Sequence, residues 1–366
     1  MRTTRANWAL TTRTLALMLA SAALAVPQVA RAADDPQLSA PGTQAPEPGE
    51  QVPPRIADQV TASPPAQARR RPADWRLAID MSVIADSNVT NSTDAETVEL
   101  DLGGTILPVP LDPNLRERGD VGTSVSATLS GRVPVAPQFA VALNAEGYAL
   151  DYGGGRADDA SAMLAAGVEI GAPGGPTALV QAIGFHREYG GSTAMQGFGL
   201  RGRFVHPLGD HRRVTLLVDA RIFDSDYGDD FEGTEAGLYL GYETRISPRA
   251  SASLGLYGRR SWLGGASYSN REFGAYGGIS TYVGDLLIAG ATAGISRATF
   301  DEAMAMLGAE PRADWRWYGS LYLTTRRPLL IGVTPSLTYT YGQTDSSIRY
   351  YRADRHRLRF GLSRQF

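Results

Sequence analysis

Few residues in this sequence have the types and spacing that catalysis requires. His186, His206, His211 and His356 are scattered along the chain, and no serine–histidine–carboxylate arrangement or G-x-S-x-G elbow accompanies them. Cysteine is absent, which excludes disulfides, thiolate zinc ligands and thiol catalysis. Catalytic groups converging from distant positions stay conceivable, but the local sequence predicts a protein that is not an enzyme.

Three short motifs could bind a ligand, and each has a simpler interpretation. Residues 197–202 read G-x-G-x-x-G, but no helix follows to present its N-terminus to a phosphate, so a strand is favoured. His206, Asp210 and His211 could hold a metal, but they flank a short turn and no third histidine is near. The acidic run 224–232 could bind calcium weakly, and a solvated loop is favoured. We therefore expect no cofactor and no metal.

Composition and charge indicate which kinds of macromolecule this chain could bind. The formal net charge is −3, and all 35 basic residues are arginine because lysine is absent. A nucleic-acid-binding surface is strongly basic, so no nucleic-acid partner is expected.

The first 73 residues predict export and a linker. Arg2, Arg5 and Arg13 precede an apolar run over 15–26 and small residues at Ala30 and Ala32, which indicates a signal peptide of residues 1–32. Residues 33–73 are rich in proline and poor in aromatic and branched apolar residues, so they predict a disordered periplasmic linker.

From Trp75 onward the hydrophobic pattern has a period of two. Over 234–246, Leu238 and Leu240 share an apolar face, while Glu235, Glu243 and Arg245 share the opposite face. The alternating segments reach the 9–11 residues that a tilted strand needs to cross a bilayer. Aromatic residues gather near predicted strand ends, as interfacial girdles require: Trp75, Trp262, Tyr282, Trp315, Trp317 and Phe366.

These segments predict fourteen strands over residues 74–366, and therefore an all-β fold, a transmembrane antiparallel up-and-down barrel in the outer membrane. Long polar connections at 86–120, 151–160, 224–233, 263–269 and 301–311 are expected outside, and tight turns in the periplasm. The predicted strands are 75–85, 121–133, 139–150, 161–171, 177–188, 194–205, 214–224, 234–246, 250–262, 270–283, 286–300, 312–325, 330–342 and 351–366.

The last strand predicts an assembly signal. Leu358, Phe360, Leu362 and the terminal Phe366 share one face, which resembles the pattern that the barrel assembly machinery reads. Because a barrel in lipid cannot leave an edge open, this strand is expected to pair with 75–85.

Charged residues at inward positions predict either a charged lumen or structural ion pairs. The candidate lumen charges are Arg201, Arg203, Asp219, Arg221, Glu243, Arg245, Arg316 and Arg359.

Two short motifs carry a family resemblance. The first strand runs into Asp86, Ser87, Asn88, Val89 and Asn91, and Arg-x-Asp-x-x-Arg at 352–357 precedes the terminal strand. With the fourteen-stranded pattern, this resembles the surface lipoprotein assembly modifier family over about residues 74–366. The resemblance implies a translocon that helps lipoproteins to reach the cell surface.

That family usually carries a periplasmic tetratricopeptide-repeat domain before the barrel. Residues 33–74 have no room for two 34-residue repeats, so a separate periplasmic chain is a candidate partner. Outer-membrane lipid, the assembly machinery and lipoprotein clients complete the expected partners. The alternative is a general or substrate-selective porin, because fourteen strands enclose a lumen wide enough for small solutes.

Overall fold

The computed structural model describes residues 35–36, 43–44 and 73–366, apart from 154, 156, 172–173, 305 and 330–331. The predicted signal peptide and most of the predicted linker lie outside the described residues. Within the linker, β1 (Asp35–Pro36) and β2 (Thr43–Gln44) pair antiparallel. In the described part of the chain, no helix has the length and hydropathy of a membrane span.

Fourteen strands close into one antiparallel barrel, and β4 (Thr97–Asp101) and β5 (Ile106–Pro110) form a separate hairpin between the first two of them. The predicted fold class and strand number are confirmed, with strand ends within four residues of those predicted. The barrel strands are β3 (Asp74–Asp86), β6 (Asp120–Ala136), β7 (Phe139–Asp151), β8 (Asp159–Gly171), β9 (Thr177–Tyr189), β10 (Ser192–Pro207), β11 (Arg212–Asp224), β12 (Gly233–Ser247), β13 (Ala250–Leu263), β14 (Asn270–Val283), β15 (Leu287–Ala303), β16 (Pro311–Thr325), β17 (Val333–Ser346) and β18 (Ala353–Gln365).

The barrel closes where β18 pairs with β3. The register runs from Arg357 opposite Asp86 to Gln365 opposite Ala78, and the Phe366 N–H donates to the Leu77 carbonyl at 2.9 Å. The predicted pairing of the last strand with the first is confirmed. No barrel strand is left with an open edge, which would cost several kcal/mol for each unpaired backbone group in lipid.

The outward face is apolar, as the alternation predicts. Leu238, Leu240 and Leu321 are exposed on the barrel wall, and so are Phe198 and Leu200. The last two lie within β10, so the G-x-G-x-x-G sequence belongs to a strand, as the simpler interpretation holds. The residues that alternate with these along each strand have side chains that point into the barrel.

The inward face explains much of the glycine content. The aromatic rings of inward-facing tyrosines lie against glycines of the adjacent strand, so a Cβ atom at those glycine positions would clash with the ring. A Cβ added to Gly294 would lie 2.2 Å from the Tyr318 ring. The same arrangement recurs at Gly290 with Tyr322, Gly274 with Tyr257 and Gly255 with Tyr276.

The two ends of the barrel differ. The loop end carries the connections 87–119, 152–158, 190–191, 225–232, 264–269, 304–310 and 347–352, and the terminal end carries the other turns and both barrel termini. Two connections depart from the predicted alternation of long and short. At the loop end, Gly190 and Gly191 have φ values of 55° and 86°, which allow a two-residue hairpin turn. At the terminal end, 326–332 is longer than the other turns and delays the start of β17.

The aromatic residues also show one difference from the prediction. Trp75 lies near the terminal end and Trp262, Trp315 and Trp317 lie towards the loop end, all facing outward. Tyr282 instead pairs with the buried Ile288 on the inward face, and the Arg326 guanidinium lies 4.6 Å from its ring centroid. The girdle interpretation of Tyr282 was wrong, because its position in β14 has the inward parity.

We expect Gly294→Ala to destabilise the barrel by about 1–3 kcal/mol, because the new methyl group overpacks the Tyr318 ring. The measurement is the urea midpoint of the heat-modifiable band in folded protein. Gly342→Ala is the matched control, since Gly342 also faces inward beside Tyr318 but a Cβ there meets no heavy atom within 4 Å. Equal midpoints for the two variants would contradict the packing argument.

Deleting 360–366 removes most of the register pairs between β18 and β3, so we expect no heat-modifiable species in the outer-membrane fraction. Phe366→Ser leaves the paired strand in place and should lower the amount of assembled barrel without abolishing it. A compact, heat-modifiable band from the deletion variant would refute barrel closure by β18.

Candidate functional site

The seam between the first and last strands holds a buried ionic group, the seam cluster of Asp86, Tyr152, Arg355 and Arg357. The Asp86 side chain has no exposure to solvent. It accepts hydrogen bonds from Arg355 Nε at 2.8 Å, Arg357 Nε at 3.0 Å and the Tyr152 hydroxyl at 2.7 Å. Burial raises the pKa of Tyr152, which keeps this hydroxyl a donor. The cluster therefore joins β3, β18 and the chain after β7.

Residues of the first-strand motif turn the chain over this seam. Asn88 is fully buried, its Nδ2 donates to the carbonyls of Ser92 and Asp354 at 2.8 and 3.0 Å, and its Oδ1 accepts from the Ser92 N–H. The Ser87 hydroxyl accepts from the His356 N–H at 2.8 Å. The two motifs that the sequence presents far apart, at 86–91 and 352–357, thus meet at one place.

Other motif residues support the same turn. Val89 packs in a hydrophobic cluster with Ile84 and Tyr152. Asn91 adopts a left-handed conformation with φ of 49°, and its N–H donates to the Asn88 carbonyl at 3.1 Å. Asparagine tolerates this conformation better than most residues.

The predicted lumen charges lie at inward positions, and most have an oppositely charged partner. The ion pairs are Asp219 with Arg221, Glu243 with Arg213, Arg316 with both Glu272 and Asp314, and Arg359 with Asp80. The backbone N–H of Arg245 donates to the His211 carbonyl near the terminal end. In the described part of the chain, Arg201 and Arg203 have no carboxylate within ion-pair distance.

Arg316 belongs to a larger buried group, the wall network, whose charges alternate across β12, β13, β14 and β16. Its links are Glu235 to Arg259 at 3.5 Å, Arg259 to Glu272 at 2.9 Å, Glu272 to Arg316 at 2.9 Å, Arg316 to Asp314 at 3.1 Å and Asp314 to Arg312 at 2.8 Å. The Arg312 guanidinium lies 4.1 Å from the Phe300 ring centroid and 3.7 Å from that of Tyr351. Of these charges, the sequence interpretation selected only Arg316, although the same parity rule would have found the rest.

At the loop end, hydrophobic residues pack in two clusters, which we call the loop cap. One cluster joins the loop-end residues of β3, β7, β9 and β10 to the first loop and to the connection after β7. The second joins 264–269, 304–310 and 347–352. Burial raises the pKa of Tyr350 in the second cluster to about 12, so this ring stays neutral within the cap. The buried residues of the cap are Ile84, Val89, Leu150, Tyr152, Ala157, Tyr189 and Ala194 in the first cluster, and Tyr268, Met304, Ile348, Tyr350 and Tyr351 in the second.

The hairpin β4–β5 ties the first loop to this cap. Val98 and Leu111, in and just after the hairpin, pack against the second cluster. The Asp101 N–H donates to the Met306 carbonyl at 2.8 Å. Met306 lies between β15 and β16, four strands around the wall from the loop between β3 and β6. The first loop therefore contacts a loop that is four strands away around the rim of the barrel.

The remaining candidate residues lie in a turn, in contacts between loops or on the outer face of the barrel. His206 lies near the end of β10, and His211 is the last residue of the turn 208–211 at the terminal end. The described residues contain no group of three or more histidine and acidic side chains arranged for a metal. In the acidic run, the backbone carbonyl of Asp230 accepts a hydrogen bond from the Gly265 N–H, and that of Glu232 accepts one from the Gly264 N–H. These bonds hold the loop 225–232 against the loop 264–269. The four residues of the predicted assembly signal are exposed on the outward face.

The apolar outer wall, the closed ladder of backbone pairs and the polar interior define an integral outer-membrane β-barrel. The chain belongs to the family described as surface lipoprotein assembly modifier, whose profile matches residues 75–366. No curated protein matches the sequence.

Several solved outer-membrane proteins align with most of the chain at low similarity. The channel DcaP of Acinetobacter baumannii is 12% identical, with a TM-score of 0.43, and the alignment covers 80% of this chain and 97% of that one. A FadL homologue of Pseudomonas aeruginosa is 11% identical, with a TM-score of 0.43 and coverage of 81% and 90%. Scores this low say nothing about what this chain binds or transports.

We expect Asp86→Asn to destabilise the closed barrel by about 3–5 kcal/mol, because it leaves two guanidiniums of the seam cluster without their counter-charge. The urea midpoint of the heat-modifiable band measures the change. Asp74→Asn, on the same strand, removes an exposed ion pair with Arg76 and should cost less than about 1 kcal/mol. If the two variants have the same urea midpoint, the seam cluster does not stabilise the closed barrel.

Proposed function

We propose that this barrel assists the delivery of lipoproteins to the cell surface. Membership of the surface lipoprotein assembly modifier family supports this function. The structural observation that carries it is the loop cap, in which the first loop contacts the loop between β15 and β16 and packs against the second cluster. In this proposal the cap covers the mouth of the barrel. A passage that must admit a polypeptide, yet keep the membrane sealed between clients, needs such a cover.

In this proposal the loop end faces the cell exterior and the terminal end faces the periplasm. Both barrel termini lie at one end, where most turns are short, and this is the pattern of bacterial outer-membrane barrels. Residues 1–32 would direct export, and 33–73 would form a periplasmic linker that ends at β3. A client would then enter from the terminal end and leave through the loop end.

The remaining partners follow from the same placement. The assembly machinery would read Leu358, Phe360, Leu362 and Phe366, which lie outward on the closing strand. A separate periplasmic chain would present clients at the terminal end. Chemistry on the client is not part of the proposal, since the inward charges of the wall network are engaged with one another.

The cap is the element that would move. Its loops are held to one another by side-chain packing and single backbone hydrogen bonds, such as Asp101 to Met306, whereas the wall is held by continuous ladders. Elements with few hydrogen bonds open locally at lower free energy than the core of a sheet. The hairpin β4–β5 is thus the best-placed part of the cap to swing away.

A substrate-selective porin is the second candidate function, and the inward arginines favour it. Arg201 and Arg203 present positive charge to the lumen without a carboxylate in ion-pair contact, as an anion-selective channel would. The two functions differ in whether the resting barrel conducts ions.

Tethering the cap should block delivery if the cap must open. The chain has no cysteine, so Asp101→Cys with Met306→Cys introduces one defined disulfide between the hairpin and the wall loop. We expect surface exposure of a co-expressed candidate lipoprotein, measured by protease shaving, to fall to the level of a strain without the barrel and to recover with reductant.

The matched control joins the two strands of the hairpin to each other. Leu100→Cys with Leu107→Cys pairs register partners of β4 and β5 and leaves the hairpin free to move as a unit. Delivery should be unchanged in this control. If the surface exposure of the lipoprotein is equal in strains with and without the barrel, the proposed delivery function is wrong.

Planar-bilayer recording separates the two candidate functions. A capped barrel should show little steady conductance, and deleting 97–110 should produce an open, ohmic channel because the hairpin no longer covers the mouth. Steady ohmic conductance from the intact protein, unchanged by the deletion, would favour the porin.

A further inference from the structure

Three side chains that donate hydrogen bonds lie close together on one part of the inner wall, and two of them have a donor nitrogen without an acceptor. Gln181 on β9 and Arg201 on β10 are register partners, and Arg203 occupies the next inward position on β10. Gln181 is only 2% exposed, and its Nε2 has no hydrogen-bond partner; neither does the buried Nε of Arg201. The contact of Arg201 is a 3.5 Å approach to the Met163 sulfur, which is a weak acceptor.

The neighbouring carboxylates do not satisfy these donors. Asp219 is bound by Arg221 at 3.0 Å, and Glu169 by Arg132 at 2.8 Å. Glu146 acts on Arg201 electrostatically but lies outside ion-pair distance. Donors and positive charge are therefore in excess at this place, in contrast with the wall network, where acids and bases alternate.

Buried donors without an acceptor are unfavourable, and a guanidinium removed from water costs more than a neutral group. A ligand that brings acceptor oxygens and negative charge would satisfy both requirements. The planar guanidinium matches the two oxygens of a carboxylate or phosphate, and the amide of Gln181 adds a third donor.

We propose that Gln181, Arg201 and Arg203 form an oxyanion site on the inner wall, which takes a phosphate or carboxylate group. Arg203 lies four residues before the end of β10 at Pro207, so the site is in the half of the barrel nearer the terminal end. With the loop cap over the other mouth, the ligand enters from the terminal end. The site does not depend on the delivery function, because a lumen anion site is compatible with a translocon and with a porin.

The experiment uses the full chain folded in phosphatidylcholine vesicles, with inorganic phosphate and acetate as separate probes at constant ionic strength. Broadening of the phosphate ³¹P resonance measures binding of the first probe, and the methyl ¹H resonance measures binding of acetate. For the wild type we expect saturable binding of at least one of them. Arg201→Gln with Arg203→Gln should weaken it by about tenfold or more, since a hydrogen bond to a charged group is lost at each position.

Two further variants keep the test decisive. Gln181→Leu retains both arginines and should weaken binding several-fold, even if the double arginine variant does not fold. Asp80→Asn with Arg359→Gln neutralises a bonded inward pair on β3 and β18, away from the site, and should leave binding unchanged. Absence of saturable binding, or equal binding in wild type and the double arginine variant, would overturn the proposal.

The source of the oxyanion is resolved by vesicle composition. Vesicles that also contain phosphatidylglycerol offer a lipid phosphate with a net negative charge, whereas the headgroup of phosphatidylcholine is zwitterionic. Loss of the probe's binding in those vesicles would support a lipid headgroup as the occupant, and unchanged binding would support a soluble anion. Both results agree with an oxyanion site and differ only in its source.

Discussion

The structure depends on one constraint, namely that lipid offers no partner for a backbone N–H or C=O group. Every long strand must therefore be paired on both sides, and the last must find the first across the whole sequence. The pairing of β18 with β3 meets this requirement, and the seam cluster of Asp86, Tyr152, Arg355 and Arg357 adds a buried ionic contact at its loop end. Because the same residues begin the first loop, closing the barrel also starts the fold of the cap.

A second consequence of the lipid surroundings is that polar groups are concentrated inside. The outward face is largely apolar, and the buried charged residues of the strands lie on the inner face. Tyrosines lie against glycines of adjacent strands, and the wall network neutralises its own charges in sequence from Glu235 to Arg312. Arg312 then contacts the ring of Tyr351 in the cap, which couples the ionic wall to the hydrophobic cover. The excess of donors at Gln181, Arg201 and Arg203 stands out against this balance.

These features fit a barrel in which a stable wall supports a less stable cover. The wall is a continuous ladder that does not open without breaking many hydrogen bonds together, whereas the cap is made of loops that pack through a few tyrosines and branched apolar residues. In the proposed delivery function, the membrane passage would be closed at rest. Charge selection within the lumen and control of the mouth would then be separate properties, carried by the wall and the cap.

The sequence by itself determined the all-β fold, the fourteen strands, the outward faces and the identity of the closing strands, because a period of two is local information that each strand carries alone. The motif at 86–91 could also be recognised, but its role could not. Which charge meets Asp86, which inward arginines lack a carboxylate, and how Val98 reaches the cap depend on register between strands and on packing between loops distant in sequence. Neighbours of that kind are created only when the barrel closes, so the tertiary structure decided them.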